Sequence, residues 1–161
     1  MCDRQAPAVD LLQGFQLFQG LDERQLRAVA AIASIEQVPE GSVLLQEGEP
    51  ADAVRVIQNG RVTVSISVPG QPDVVVSTLS RGQLLGFSAL FDDRRWTASG
   101  RALKACTLVV IPGPELIELG ERDHAIGYHL MRNALESVAN QLRDARLQLL
   151  DIFGERAESS E

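Results

Sequence analysis

Residues 53–79 read AVRVIQNGRVTVSISVPGQPDVVVSTL, and this stretch decides the fold. Along residues 61–68 apolar side chains alternate with polar ones, which is the pattern of a half-buried β-strand. Asn59-Gly60 precedes this run and predicts a β-hairpin with residues 53–58, because both turn residues tolerate positive φ. Four further runs of β-type residues lie at 43–46, 73–79, 98–103 and 106–111. Short strands separated by turns about every ten residues are typical of a sandwich or barrel.

Helical patterns flank this β-region on both sides. Residues 7–38 are predicted to be helical, and Asp22 with Gln25 has the spacing of a capping box. Pro39-Glu40-Gly41 favours a turn and therefore marks the end of the helical pattern. The predicted organisation is an N-terminal helical segment (1–38), a β-domain (39–113), C-terminal helices (114–153) and a polar tail (154–161).

Apolar residues on the last helix recur at alternating intervals of three and four residues, as in a heptad repeat. Such a seam predicts a helix that pairs with a copy of itself, and therefore a homodimer. The seam residues are Tyr128, Met131, Leu135, Val138, Leu142, Ala145, Leu149 and Ile152. The alternative is a surface helix that packs on its own β-domain. A second apolar stripe indicates that the helix does both; it consists of Ile126, Leu130, Ala134, Leu147 and Leu150.

Composition excludes several classes of protein. The 161 residues are 45% hydrophobic and 23% charged, which is typical of a globular chain. No apolar run approaches the roughly 20 residues of a membrane span, and no signal peptide is visible, so we expect a cytoplasmic protein without a membrane partner. The net charge is −7 and Lys104 is the only lysine, which argues against nucleic acid as a partner. The two cysteines, Cys2 and Cys106, are too few for a disulfide scaffold or a CxxC zinc site.

No pattern of catalytic or metal-binding residues stands out. His124 and His129 are five residues apart, which places them on different helix faces, so no metal site is predicted. The sequence contains no phosphate loop, no nucleophile–histidine–acid arrangement and no paired catalytic carboxylates. We therefore expect no catalytic residues and no enzyme.

The order of a helix, about eight short strands and a long helix resembles the cyclic-nucleotide-binding domain, the sensor half of Crp/Fnr-type regulators. Turn glycines fall where that family places them: Gly41, Gly48, Gly60, Gly82 and Gly86. The resemblance rests on PEGSVLLQEGEPAD (39–52), VIQNGRVTV (56–64), LSRGQLLGFSAL (79–90) and RALKACTLVVIP (101–112). It implies a mainly β protein with flanking helices. The core would be a double-stranded β-helix, a cupin-like jelly roll or β-roll, followed by a long dimerisation helix.

The resemblance also implies a ligand site. In the family, backbone N–H groups after the turn glycine and an Arg before a Ser/Thr-Ala pair hold the cyclic phosphate, while a Glu beside the glycine holds the ribose. Here Phe87 stands in place of the Glu, and Trp96 in place of the Arg. The family's adenine-contacting hydroxyl pair aligns with Ala145-Arg146. The candidate phosphate cassette is Gly86, Phe87, Ser88, Ala89, Leu90, Arg95, Trp96, Thr97 and Ala98.

These departures leave three interpretations of the pocket open. Phe87 and Trp96 either fill it as core, or stack on a flatter and less charged ligand. In the third, Arg95 swings in to replace the missing Arg. No cofactor is predicted from the residues, and a cyclic nucleotide is the candidate ligand that the resemblance implies.

The function expected from the resemblance is that of a non-enzymatic sensory or regulatory homodimer. It would act through another protein and bind cAMP weakly or not at all. One alternative is a structural or interaction protein that retains only the fold; another is a true cyclic-nucleotide receptor that uses Arg95. A Gly-aromatic-Ser…Arg-Trp pattern and RLQLLDIFG (146–154) resemble a branch of short members without the DNA-binding helix-turn-helix.

Overall fold

The computed structural model describes residues 5–158. Two short elements and a longer helix open the chain: α1 (Val9–Gln13), a 3₁₀ turn (Gln16–Phe18) and α2 (Glu23–Ile32). The strands that follow are β1 (Ser34–Val38), β2 (Val43–Leu45), β3 (Ala53–Asn59), β4 (Val62–Ile66), β5 (Val74–Leu79), β6 (Leu84–Leu85), β7 (Ser99–Ala102) and β8 (Cys106–Pro112). A second 3₁₀ turn (Phe87–Leu90) follows β6, and α3 (Gly113–Arg122) and α4 (His124–Glu158) complete the fold.

The strands form two four-stranded antiparallel sheets, with the orders β1-β8-β3-β6 and β2-β7-β4-β5. A single buried cluster contains residues of both sheets, including Val56 and Leu108 of the first and Val62 and Leu79 of the second. The core therefore lies between the sheets, as expected for two half-apolar faces that exclude water together. The predicted fold class, a mainly β jelly roll with flanking helices and a C-terminal helix, is confirmed.

The helical prediction for residues 7–38 is wrong at its C-terminal end. The capping box at Asp22 and Gln25 is present, with both reciprocal hydrogen bonds formed, and it starts α2 as predicted. The helix ends at Ile32, and Ser34–Val38 pairs with β8 as strand β1. Pairing with a neighbouring strand supplies the backbone hydrogen bonds of this segment, so tertiary context overrides the local helical spacing.

The predicted hairpin at Asn59-Gly60 is also wrong. Strand β3 pairs with β6 and β8, whereas β4 pairs with β5 and β7, so the two strands that flank the turn belong to different sheets. Gly60 does adopt positive φ, +102°, as the dipeptide indicated. The Asn-Gly turn thus carries the chain from one sheet to the other, and the β4–β5 pair forms the hairpin instead.

The predicted second stripe of α4 is buried against the domain only in its first part. Ile126, Leu130 and Ala134 are buried, whereas Leu147 and Leu150 of the same predicted stripe are exposed. The buried Asn133 amide donates 2.9 Å hydrogen bonds to the carbonyl oxygens of Leu17 and Gln19, which ties α4 to the N-terminal turn. None of the helices within residues 5–158 combines the length and the apolar character that a membrane span needs.

Candidate ligand cleft

The centre of the site is the turn between β6 and the Phe87–Leu90 3₁₀ turn. Gly86 caps this turn with φ +85°, in the left-handed region that favours glycine. A Cβ built at Gly86 would lie 2.9 Å from the carbonyl oxygen of Ala53 and 3.1 Å from two ring atoms of Trp96. Gly86 is therefore required both for its backbone conformation and for the close approach of the indole ring.

Trp96 fills most of the space in front of this turn. Its side chain is buried, and its backbone is fixed because its N–H donates to the carbonyl of Glu49 while its own carbonyl accepts from the N–H of Gly48. The cavity that remains beside the ring measures about 40 Å³. Pockets that bury a drug-sized ligand span roughly 300–1,000 Å³. In this conformation the cleft admits a few water molecules and no nucleotide.

The lining of the cavity is predominantly apolar. None of its lining residues within the described part of the chain carries an ionisable side chain; they are Leu45, Val64, Leu79, Leu84, Leu85, Gly86, Phe87, Ser88, Trp96, Thr97, Ala98 and Gln141. The cleft consequently offers neither a general acid or base nor a fixed charge to a ligand that occupies the present cavity.

The structure gathers most, but not all, of the predicted cassette around the cleft. Six members line the cavity, and Ala89 and Leu90 continue the same turn behind it. The Arg95 side chain is exposed, and its Nη1 donates to the carbonyl oxygen of Gly48 over 2.8 Å, outside the cavity lining. Its guanidinium thus stabilises the neighbouring turn in this conformation.

Sequence reasoning missed Arg55, a buried cation beside the cleft. The side chain of Arg55 is 10% exposed, and its guanidinium carbon lies 5.8 Å from the centroid of the Trp96 ring, a cation–π distance. The signal was an arginine inside the apolar run AVRVI of strand β3. A charged residue in the middle of a buried strand is unusual, and it points to a specific partner.

The long helix reaches the cleft through Gln141, one turn before the position that the resemblance implied. Gln141 lines the cavity, whereas Ala145-Arg146 does not. The Nε2 atom of Gln141 donates to the carbonyl oxygen of Leu84 over 2.8 Å. This hydrogen bond joins α4 to the strand that leads into the Gly86 turn.

A second, wholly apolar groove continues from the cassette to the predicted seam. It measures about 180 Å³ and joins aromatic residues of the cassette side to residues of α4. Phe87 and Phe91 contact each other edge to face, with ring centroids 6.2 Å apart. The lining residues are Phe87, Leu90, Phe91, Met131, Ala134, Leu135 and Val138. The cassette and the seam therefore share one continuous surface.

Two ionisable groups with displaced pKa values lie away from the cleft. Burial is the main cause that raises the pKa of the Cys106 thiol, with a smaller lowering contribution from the backbone of Arg61, so this thiol stays protonated at neutral pH. The Gln25 amide is the main group that lowers the pKa of Asp123, aided by the N–H of Ile126 and by Arg24. Neither group lines the cleft.

With this geometry established, a family comparison identifies the domain. A sequence model described as cyclic nucleotide-binding domain matches residues 35–123. That range includes all eight strands except for the first residue of β1, together with the Gly86 turn, Trp96 and all of α3. The chain belongs to the cyclic nucleotide-binding domain family. Its structural neighbours include Crp/Fnr-type cyclic nucleotide-binding proteins, as the resemblance indicated.

Individual relatives agree with this assignment. A putative cyclic nucleotide-binding protein from Geobacter metallireducens superposes with a TM-score of 0.75 at 29% identity, covering 84% of this chain and 98% of that one. Glutaminase 1 of Bradyrhizobium diazoefficiens is 30% identical over 127 residues, which is 78% of this chain and 20% of the relative. The Cyclic AMP receptor protein of Thermus thermophilus is 24% identical over 138 residues, covering 86% and 62%. The chain thus spans a fifth of the glutaminase and under two thirds of the receptor.

Proposed function

We propose that this cyclic nucleotide-binding domain is a non-enzymatic regulatory module that works as a homodimer through a protein partner and binds cAMP weakly or not at all. The observation that carries the proposal is the buried Trp96 ring, which leaves about 40 Å³ of cavity beside the Gly86 turn. A family member that read cAMP in the ordinary way would hold a cationic side chain at this position. Here the same place is filled with apolar surface.

The expected loss of affinity follows from the missing contacts. A hydrogen bond to a charged group contributes about 1.5–3 kcal/mol, which corresponds to roughly one to two decades in affinity. The chain lacks both the phosphate-binding Arg, replaced by Trp96, and the ribose-binding Glu, replaced by Phe87. The two losses need not add, but both lower affinity for a cyclic nucleotide.

Exposure of the seam supports the homodimer. Tyr128, Leu135 and Leu142 are 61%, 70% and 50% exposed within one chain, and Met131 and Leu149 are exposed as well. Contiguous exposed apolar surface of this kind marks an interaction site, and the heptad spacing is self-complementary. Ile152, the last predicted member, has a side chain outside those that the structure describes. A second copy of α4 would cover this face.

A protein partner fits the charge of the chain better than nucleic acid does. The net charge of −7 repels phosphate backbones, so we propose that these 161 residues do not bind DNA specifically by themselves. The apolar lining of the cleft supports a non-enzymatic role, because it presents no ionisable group to a substrate. A scaffold that retains only the fold is the second candidate, and the closed cavity is the observation that favours it.

Calorimetry with cAMP and light scattering on the same preparation test the proposal. We expect a dimer at tens of micromolar, roughly an ordinary assay concentration, and no heat of cAMP binding below the millimolar range. Micromolar or tighter binding of cAMP would overturn the closed-cleft part and favour a true receptor, in which Arg95 is the first residue to test. A monomer at this concentration would overturn the homodimer.

A further inference from the structure

Arg55 carries a positive charge that is buried and only loosely paired. Its Nη1 and Nη2 lie 3.3 and 3.4 Å from the same carboxylate oxygen of Asp52, and Nη1 also donates to the carbonyl of Ala53 over 3.1 Å. The Asp52 side chain is 71% exposed, so water competes for that carboxylate. A buried guanidinium has five N–H donors and needs a strong acceptor. Arg55 is therefore able to exchange Asp52 for a better-placed anion.

The Trp96 ring lies between the Arg55 guanidinium and the Gly86 turn. One face of the ring covers the Arg55 guanidinium, while its outer edge meets Gly86. The ring lines the small cavity of about 40 Å³ and also an outer groove of about 240 Å³. Arg55, Asp52 and Glu49 line that outer groove. Trp96 and Leu45 both line the two spaces, and Trp96 is the one of the pair that also contacts Arg55 and Gly86. Rotation of the Trp96 ring would join the spaces.

We propose that Arg55 is the anion-binding residue of this cleft and that the Trp96 ring must move aside to expose it. The ligand is a small molecule with a flat apolar body and one singly charged group, a phosphodiester or a carboxylate. The body lies against the apolar wall that includes Leu84 and Phe87, and the anion replaces Asp52 on the guanidinium. This inference rests on the proposed function in that it places the ligand in the same cleft.

The acidic neighbours determine the preferred charge of the ligand. Glu49 and Asp52 line the groove in which the anion would sit, so a second negative charge on the ligand would be repelled. A singly charged phosphodiester such as that of cAMP is favoured over the doubly charged phosphate of AMP.

The Asp52 carboxylate competes with the ligand for Arg55. Asp52→Asn removes this competitor and strengthens anion binding, because Arg55 then has no carboxylate partner among its present contacts.

Trp96 itself provides the first measurement, because it is the only tryptophan of the chain. Its emission reports the movement directly in the wild-type protein. Titration with cAMP into the millimolar range shifts the emission to longer wavelength and increases quenching by acrylamide. The same titration of Asp52→Asn reaches half-saturation at a lower cAMP concentration. An unchanged spectrum in both proteins, or a response to AMP equal to that to cAMP, contradicts the proposal.

A paired set of variants isolates Arg55. Trp96→Ala opens the wall and raises cAMP affinity in calorimetry at least tenfold over the wild type. Trp96→Ala with Arg55→Gln lowers it again by roughly tenfold to a hundredfold, the range expected for one charge-assisted contact. Trp96→Ala with Arg101→Gln is the matched control, since Arg101 is an exposed arginine that bonds the carbonyl of Gly41. Trp96→Phe, which keeps a smaller ring, replaces Trp96→Ala throughout if that variant does not give a cooperative thermal transition.

The outcomes separate this inference from the proposed function. Equal cAMP affinities of Trp96→Ala and of Trp96→Ala with Arg55→Gln would overturn the inference and leave the proposed function intact. The inference also fails if Trp96→Ala binds no cAMP. It fails as well if, in the Trp96→Ala protein, Arg95→Gln rather than Arg55→Gln removes cAMP binding. Tight cAMP binding by the wild type overturns the closed-cleft function, and the response of the Arg55→Gln single variant then still decides whether Arg55 is the anion ligand.

Discussion

The side-chain amide of Gln141 donates to the carbonyl oxygen of Leu84 over 2.8 Å, two residues before the Gly86 turn. Gln141 lies on α4 beside Leu142 of the seam, so one hydrogen bond links the proposed dimer helix to the floor of the cleft. The apolar groove between Phe87 and Met131 makes the same connection through packing. These contacts join α4 to the cleft directly, and any free-energy coupling between a ligand in the cleft and the position of the helix would act equally in both directions.

The first prediction concerns this link. Gln141→Ala removes the side-chain donor to the carbonyl of the buried residue Leu84, and the free energy of unfolding should fall by about 0.5–1.5 kcal/mol. Gln148→Ala, an exposed glutamine on the same helix, should change it by less than about 0.5 kcal/mol. Urea denaturation monitored by circular dichroism gives both values. Equal effects of the two substitutions would show that the hydrogen bond contributes nothing.

The second prediction concerns assembly. Leu142→Asp places a carboxylate in the proposed seam, where self-pairing would bury it without a partner, and the variant should be monomeric. Leu147→Asp is the matched control, because Leu147 is similarly exposed but lies about 140° further around the helix. Light scattering at equal concentrations should give a dimer for the wild type and for the control. A dimer that survives Leu142→Asp would exclude this seam as the interface.

The third prediction restores the family's ligand contacts. Phe87→Glu together with Trp96→Arg removes the ring that fills the cleft and supplies a ribose acceptor and a phosphate donor. The affinity for cAMP should rise at least tenfold, roughly the size of one charge-assisted contact. Phe91→Glu with Trp96→Arg carries the same charges but places the carboxylate on an exposed ring position. Calorimetry that finds the two double variants alike would exclude a ribose-binding role for position 87.

The fourth prediction concerns acid stability. The hydrogen bond from the Gln25 amide is the first reason that Asp123 has a pKa below its ordinary 3.8, followed by the Ile126 N–H and Arg24. A carboxyl whose pKa is lower in the folded state stabilises the fold above its unfolded pKa, and this contribution disappears as the pH falls through the folded pKa. Asp123→Asn should therefore destabilise the protein at pH 7. The difference from the wild type should shrink steadily as the pH falls below the ordinary pKa of 3.8.

Urea denaturation across this pH range measures both curves, and the asparagine still accepts the N–H groups that begin α4. Asp10→Asn, at an exposed carboxyl elsewhere on the surface, is the control for replacing a carboxylate by an amide. A constant difference between wild type and Asp123→Asn from pH 7 to pH 2 would contradict the assignment.

Much of the β-domain could be predicted because its patterns are local. Six of the eight strands start and end within two residues of the predicted runs, since alternating side chains and turn glycines act over a few positions. Strand β1 could not be predicted, because its partner β8 is distant in sequence and its residues, SIEQV, do not alternate regularly between apolar and polar. Strand β6, Leu84–Leu85, is too short to show any period.

The candidate site was predictable only as far as the resemblance reached. It located the Gly86 turn and the Trp96–Ala98 segment, which the structure brings together around one cavity; that they bind a ligand stays a prediction. Arg55 could not be found in this way, since its role depends on a contact with Trp96 across the two chain segments. The orientation of the Arg95 side chain could not be predicted either, because its hydrogen bond to the Gly48 carbonyl forms only when the two loops meet in the folded protein. These side-chain conformations are determined by residues that are distant in sequence, and a local sequence pattern carries no information about them.

The last prediction tests the sheet-crossing role of the Asn59-Gly60 turn. Gly60 has φ +102°, and a Cβ there would lie 2.5 Å from the carbonyl oxygen of Ala105 and 2.6 Å from Sγ of Cys106. Gly70 has φ +75° with open space around it, so Gly70→Ala carries the conformational strain without the collision. Strain of this kind costs about 1–3 kcal/mol. Gly60→Ala should therefore destabilise the protein by clearly more than Gly70→Ala.

Urea denaturation of the two alanine variants measures the difference. A simple hairpin turn at Asn59-Gly60 would make the two substitutions comparable, because each would then add only backbone strain. Tight packing against the Ala105–Cys106 segment makes Gly60→Ala the more damaging change, since a carbonyl oxygen cannot move away as a flexible side chain can. Equal destabilisation would show that the turn does not pass as close to the start of β8 as the structure places it.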